Sequence, residues 1–233
     1  MTNLVGENLV KSGNLGDRPA VFFKLRPALE PQHRHLQNMT QKLDNYKLTW
    51  YMHEICMHSM GAKIEFDRLA STLAAPDMRQ SRLVWFHLTS FLSHSAMISK
   101  YLSPISKCEI AILRKQALRV CLRVDGDSEV LQRDARDNIE HFDERLDNWV
   151  DGDNQNILEI VLHDHASYDY LRVVEKRVKR VLIQDVMVFI SEKKDKSQFQ
   201  LCLNPLNDEV IRIGIEAEKW INDKSAYDFV FPR

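Results

Sequence analysis

The residue types that can do chemistry together fall in one stretch, Arg133-Asp134-Ala135-Arg136-Asp137-Asn138-Ile139-Glu140-His141-Phe142-Asp143-Glu144-Arg145. With Asp137 as the origin of a helical wheel, His141 lies at about 40° and Glu144 at about −20°. Arg136 lies at about −100° and reaches the same side because its side chain is long. The apolar residues Leu131, Ala135, Ile139, Phe142, Leu146, Trp149 and Val150 fall within an arc of about 100° centred near ~160°. The Asp137–His141 row therefore points away from the core. An imidazole grouped with carboxylates and a guanidinium on an exposed face is what proton transfer or anion binding uses. The row also reads as ordinary helix surface or as a dimer interface. Asp137–His141 and Arg136–Glu140 are i,i+4 pairs, each contributing roughly 0.2–0.5 kcal/mol.

The elements that must position this row are helical. From about Leu36 to Leu73, Tyr46, Trp50, Ile55, Met60, Ile64, Leu69 and Leu73 recur near three-to-four-residue spacing. Pro76 ends that run and pushes Ala75 out of helical geometry. Asp77 is placed to cap a second helix running through Leu83, Phe86, Phe91, Met97 and Leu102 to Pro104. Ser106 starts a third, with Ile110, Leu113, Leu118 and Leu122. Asp125-Gly126-Asp127-Ser128 is a turn whose capping oxygen opens the fourth helix, and Asp151-Gly152-Asp153-Asn154 stops it.

Arg136-Asp137-Asn138-Ile139-Glu140-His141 resembles the Arg-polar-x3-His signature (R-x4-6-H) of HEPN domains. These are bundles of four or more helices with the signature in a late helix. The resemblance covers residues 36–150 in architecture and six residues as a motif. It implies a metal-independent ribonuclease whose site forms where two protomers bring two motifs together, often as the toxin of a toxin–antitoxin pair. It implies that His141 moves a proton to or from the RNA. Asp137 orients the imidazole. Arg136 neutralises charge on the phosphorane-like transition state, and Asn138 hydrogen-bonds a phosphate oxygen. HEPN-like proteins also use this surface for binding alone.

Other candidates carry less. His53-Glu54-Ile55-Cys56-Met57-His58 sets its histidines five residues apart, about 140° around the wheel, whereas zinc chelation by a helix needs i,i+4. His33 and His35, and His163-Asp164-His165, read as irregular or turn segments without a third ligand. Arg172, Lys176, Arg177, Lys179 and Arg180 form a basic cluster that, with Arg133, is available for RNA phosphates. The alternative is one solvated face of an amphipathic element. Arg114, Lys115, Arg119 and Arg123 on the third helix are a further basic set. There is no P-loop, GxGxxG or GxSxG.

The net charge of −1 leaves no global field to attract nucleic acid, so a polyanion site must be a local patch. The four cysteines lack CxxC spacing and read as reduced thiols. Met1 to Asp17 lacks the layout of a signal peptide, and no apolar run approaches the roughly 20 residues of a membrane span. These features lead us to expect a soluble, cytoplasmic protein.

The expected fold is mainly α. An irregular leader over 1–31 precedes a bundle of four or more helices over 32–152. A small α+β extension over 153–233 contains a β-hairpin. Ile157 to Leu162 is strand-like, and Val186 to Ile190 and Phe199 to Leu203 flank a polar turn. Leu171 to Ile183 fits helix or strand. Val210 to Ile215 reads as a third strand and Glu216 to Ile221 as a short helix. The expected function is a homodimeric endoribonuclease without metal or cofactor, acting on RNA, with an antitoxin protein as a further partner. The alternatives are a non-catalytic binding or assembly module and a nucleotide pocket.

Overall fold

The computed structural model describes residues 43–78, 81–132, 134, 137, 141–151, 158–174, 178–193, 195 and 197–224. The leader over 1–31 lies outside them. The protein is mainly helical with a small four-stranded sheet that contains a hairpin. No helix among the described residues is long and apolar enough to cross a membrane.

Helix α1 spans Asn45–Ala74. Asp44 starts it, its Oδ1 accepting from the Lys47 N–H at 2.9 Å. Ala75, extended at ψ 112° in front of Pro76, ends it as expected. Helix α2 spans Arg82–Leu102. Ser81 takes its N-cap position; Asp77 instead lies in a 3-10 turn, Pro76–Met78. Helix α3 spans Glu109–Cys121, starting a little later than Ser106 would place it. It closes with Val124 N–H on the Arg119 carbonyl at 2.9 Å and Arg123 left-handed at φ 52°. That is a Schellman cap with arginine where glycine is usual.

The next element departs from expectation. In place of one long fourth helix there is a 3-10 turn, Glu129–Leu131, then extended Gln132. Asp134 and Asp137 are helical, and a separate short helix, α4, spans Phe142–Val150. Ser128 does not cap: its Oγ donates to Glu209 at 2.5 Å.

Strand β1 (Leu158–Leu162), helix α5 (His165–Val174), β2 (Val178–Ile183), β3 (Val188–Glu192) and β4 (Gln198–Cys202) follow. The strands lie in sequence order, with β1 parallel to β2 and the rest antiparallel. The ambiguous segment from Leu171 therefore divides into a helix end and a strand. Period-two alternation gives the sheet two buried faces. Leu182, Phe189, Phe199 and Leu201 face the helices, whereas Val181, Ile183, Val188 and Ile190 meet Tyr168 of α5.

Residues Leu203–Lys224 form one helix, α6, where a strand and a short helix were expected. Val210, Ile213 and Ala217 are β-branched or small in part, but their three-to-four-residue spacing buries them against α1, and that packing outweighs local strand preference. One hydrophobic core runs from Leu43 through α1, α2, the sheet and α6, so the expected parts 32–152 and 153–233 share it.

Candidate functional site around His141

The segment that carries the motif breaks at His141. Asp134 and Asp137 are helical, and the His141 N–H still bonds the Asp137 carbonyl at 3.2 Å. His141 itself departs to φ −117°, ψ 32° and becomes the N-cap of α4. Its side chain is 54% exposed, and its Nδ1 lies 3.2 Å from Glu144 Oε1.

The break re-phases α4. Arg145 is buried at 8% exposure, and its Nη1 donates to the Asp137 carbonyl at 3.0 Å. Burial pulls Arg145 below the usual arginine range, while Asp137, Glu144, Asp134 and Glu192 pull against it. Trp149 is buried one turn on, but Leu146 and Val150 are exposed. The expected apolar arc is thus corrected. Once the helix breaks, the inward stripe of α4 is Arg145 and Trp149, with Phe142 edge-on to Trp149 at 5.7 Å.

The sheet clamps this segment in place. Trp149 Nε1 donates to Glu192 Oε1 at 3.0 Å, and Lys179 Nζ reaches Glu192 Oε2 at 2.8 Å. Lys193 Nζ bridges to Asp134 at 2.5 Å. Arg180 lies 4.3 Å from the Phe142 ring and 5.0 Å from the Trp85 ring, and forms an ion pair with Glu159. Two of the basic residues read from sequence as RNA contacts are therefore engaged within the protein. Arg180→Ala is expected to lower stability by about 2 kcal/mol through loss of both ring contacts, and Arg180→Lys is expected not to restore it. Urea denaturation checks both.

Of the remaining sequence-predicted residues, Arg133, Arg136, Asn138, Lys176 and Arg177 lie outside the described residues. Arg172 is in the backbone of α5, and its side chain is outside them. Asp137 is half-buried and contributes its carbonyl to both His141 and Arg145. Glu144 holds the imidazole, and sequence reasoning had placed it on the row without giving it this role. Its i,i+3 spacing from His141 was the available signal. Arg145 was missed because a charged residue inside a helix reads as surface.

Chemically, a carboxylate on Nδ1 orients an imidazole so that its other nitrogen faces outward for proton transfer. Asp143 and Glu144 occupy the first turn of α4 and offset the positive end of that helix.

A cleft of ≈ 570 Å³ opens between the α3 cap and α6, lined by Arg123, Asp125, Asp127, Asp208, Glu209 and Arg212 among others. None of the His141 segment lines it. The third feature is a pair of half-buried polar contacts between α1 and α2. His58 Nδ1 meets His94 Nδ1 at 3.0 Å, beside Glu54 and Tyr101. Further along, His87 Nδ1 meets Glu65 Oε2 at 2.7 Å, and Arg68 holds the other oxygen. No group of three or more histidines, cysteines and carboxylates able to hold a metal occurs among the described residues.

These pairs make stability depend on pH. Burial first, and His94 second, hold His58 below the ordinary 6.5, and burial does the same to His53. The unfolded chain therefore takes up protons below pH 6.5 that the folded one refuses, and stability is lost as pH falls through that value. Burial pushes Glu65 up, but hydrogen bonds from His87 and Arg68 outweigh it and hold the group below its ordinary 4.5. Its contribution is present above pH 4.5 and lost as pH falls through its lower folded value. The urea midpoint is expected to be lower at about pH 5.5 than at about pH 7.5, and His94→Gln is expected to flatten that difference.

The chain matches no family model, no curated protein and no solved structure.

Proposed function

We propose that the protein is a metal-independent endoribonuclease of HEPN type, acting as a homodimer through the surface around His141. The observation that carries this reading is the break in the helix at His141, which leaves the imidazole half exposed with Glu144 on its Nδ1. In the reaction, the imidazole of one protomer takes the 2′-hydroxyl proton, and the 2′-oxygen attacks the adjacent phosphorus. The 5′-oxygen leaves with a proton from the second protomer's imidazole. The products are a 2′,3′-cyclic phosphate and a 5′-hydroxyl. Arg136 is the cation for the transition-state charge, with Asn138 on a phosphate oxygen. In a toxin–antitoxin pair the cognate protein covers this face. The test is incubation of a mixed-sequence RNA with the protein in EDTA, followed by analysis of the ends. Products ending in 2′,3′-cyclic phosphate support the reading, and intact RNA with a folded dimer sinks it.

A second reading, a non-catalytic binding or assembly module, draws on a different observation. Asp143 and Glu144 follow His141 in the first turn of α4, while Lys179, Arg180 and Lys193 are tied in ion pairs. An acidic face of this kind suits a basic protein partner better than RNA.

A further inference from the structure

Helix α1 is apolar on two opposite sides. One side carries Leu48, Met52, Ile55, Ser59, Ala62, Leu69 and Leu73 into the core. The other carries Tyr46, Trp50, His53, Met57, Met60 and Ile64. The sequence pattern ran the two faces together. At about 100° per residue the second set falls within about 80° of arc, diametrically opposite Ile55. Its spacing is four, three, four, three, four, the heptad seam of a helix that packs on another helix. Yet Trp50 is 52% and Met60 61% exposed, Tyr46, Met57 and Ile64 are exposed too, and His53 is half-buried.

We infer that this seam is the interface between two copies of the chain, with the two α1 helices packed antiparallel about a two-fold axis near Ile55. Three arguments select a second copy. The seam is symmetric about Ile55: Tyr46 and Ile64, Trp50 and Met60, and His53 and Met57 are equidistant from it. An antiparallel partner therefore sets each large side chain against its counterpart, as an isologous contact requires. The charges bounding the seam are symmetric too. Asp44 pairs with Lys47 at one end and Lys63 with Asp67 at the other. Each end of the dimer then gathers two aspartates and two lysines, a neutral cluster able to exchange partners between chains. The exposed apolar surface is on the order of 500 Å², the upper range for a monomer's largest patch. With the stems of Lys47, Glu54 and Lys63 on its margins, the footprint approaches the roughly 800 Å² per partner of a stable interface. This contact is a second one, separate from the face around His141 across which the proposed ribonuclease pairs its protomers.

The test is sedimentation of the full chain at about 10 µM, where an interface of this size is populated. The wild type is expected to be a dimer or larger. Met57→Asp/Met60→Asp is expected to sediment at half the wild-type mass with unchanged thermal stability, the α1 contact being at least about thirtyfold weaker. Orientation is read by cross-linking in a Cys108→Ser/Cys202→Ser background. Chains carrying Trp50→Cys are expected to join chains carrying Met60→Cys. Met60→Cys is expected not to join itself, because an antiparallel pair sets those positions about 15 Å apart. A monomeric wild type overturns the inference and leaves the segment before Leu43, or another protein, as the cover of the seam. A mass unchanged by the double aspartate change overturns it, as does self-joining of Met60→Cys. The double aspartate change leaves the face around His141 intact, so loss of the α1 contact and loss of the ribonuclease site are told apart.

Discussion

His141→Ala is expected to lower RNA cleavage by about 10²- to 10⁴-fold while leaving the fold intact, the range that loss of a positioned acid–base group produces. The fold survives because the side chain is half exposed. Its one polar contact among the described residues is Glu144 at 3.2 Å, an i,i+3 surface pair contributing a few tenths of a kcal/mol. The backbone features that shape the site do not depend on the imidazole. The break at residue 141 is held by Arg145 on the Asp137 carbonyl and by Trp149 on Glu192. Glu144→Gln keeps the shape and removes the charge, and is expected to fall between the wild type and His141→Ala. Single-turnover cleavage of a short RNA, with thermal melting of each variant alongside, checks both. Equal cleavage by wild type and His141→Ala assigns the activity elsewhere and leaves the assembly reading.

The order of those effects bears on what the sequence could tell. The wheel placed His141, Asp137 and Glu144 on one outward side, and the imidazole is indeed exposed. It assumed an unbroken helix, however, so it named Asp137 as the partner one turn back, whereas the structure pairs the ring with Glu144 one turn ahead. The break has a long-range cause that no local pattern contains. Arg145 is drawn inward among carboxylates from β3 and from the preceding turn, and Phe142 is drawn against Arg180 of β2. Where termination is local, sequence sufficed: Ala75 before Pro76 ends α1, and the β3–β4 hairpin follows from two strand-like runs around a polar turn. Where competition is tertiary it did not. Val210 to Ile215 has strand composition, and only contact with α1 makes it helix. The same limit applies to α1 itself. Tyr46, Trp50, Met60 and Ile64 share a periodicity with Ile55, Leu69 and Leu73, yet only the second group is buried in the chain's own core.

Contact between α1 and α6 is the joint on which this arrangement rests, and Gly214→Ala is expected to lower stability by about 3 kcal/mol. A Cβ on Gly214 overlaps Ser59 Oγ and falls 2.5 Å from Ser59 Cβ, closer than non-bonded atoms approach. The neighbour cannot simply turn away. Ser59 is buried in α1 and its Oγ donates to the Val210 carbonyl at 2.8 Å, while Cys56 Sγ contacts the Gly214 carbonyl at 3.7 Å. The two helices must separate, opening the core that Val210, Ile213 and Ala217 fill. For a chain of this size the loss corresponds to a fall in melting temperature of about 6–12 °C. Ser59→Gly on the Gly214→Ala background removes both clashing atoms and is expected to recover most of it, a coupling that residues acting independently would not show. A Gly214→Ala protein as stable as the wild type would mean that the helices do not cross this closely. The consequence reaches the candidate site because β4 runs directly into α6 and pairs with β3, which carries Glu192. Glu192 and Lys193 hold Trp149 and Asp134. A shift of α6 therefore moves the sheet end that fixes the His141 segment, and cleavage by Gly214→Ala is expected to fall even at temperatures where the chain remains folded.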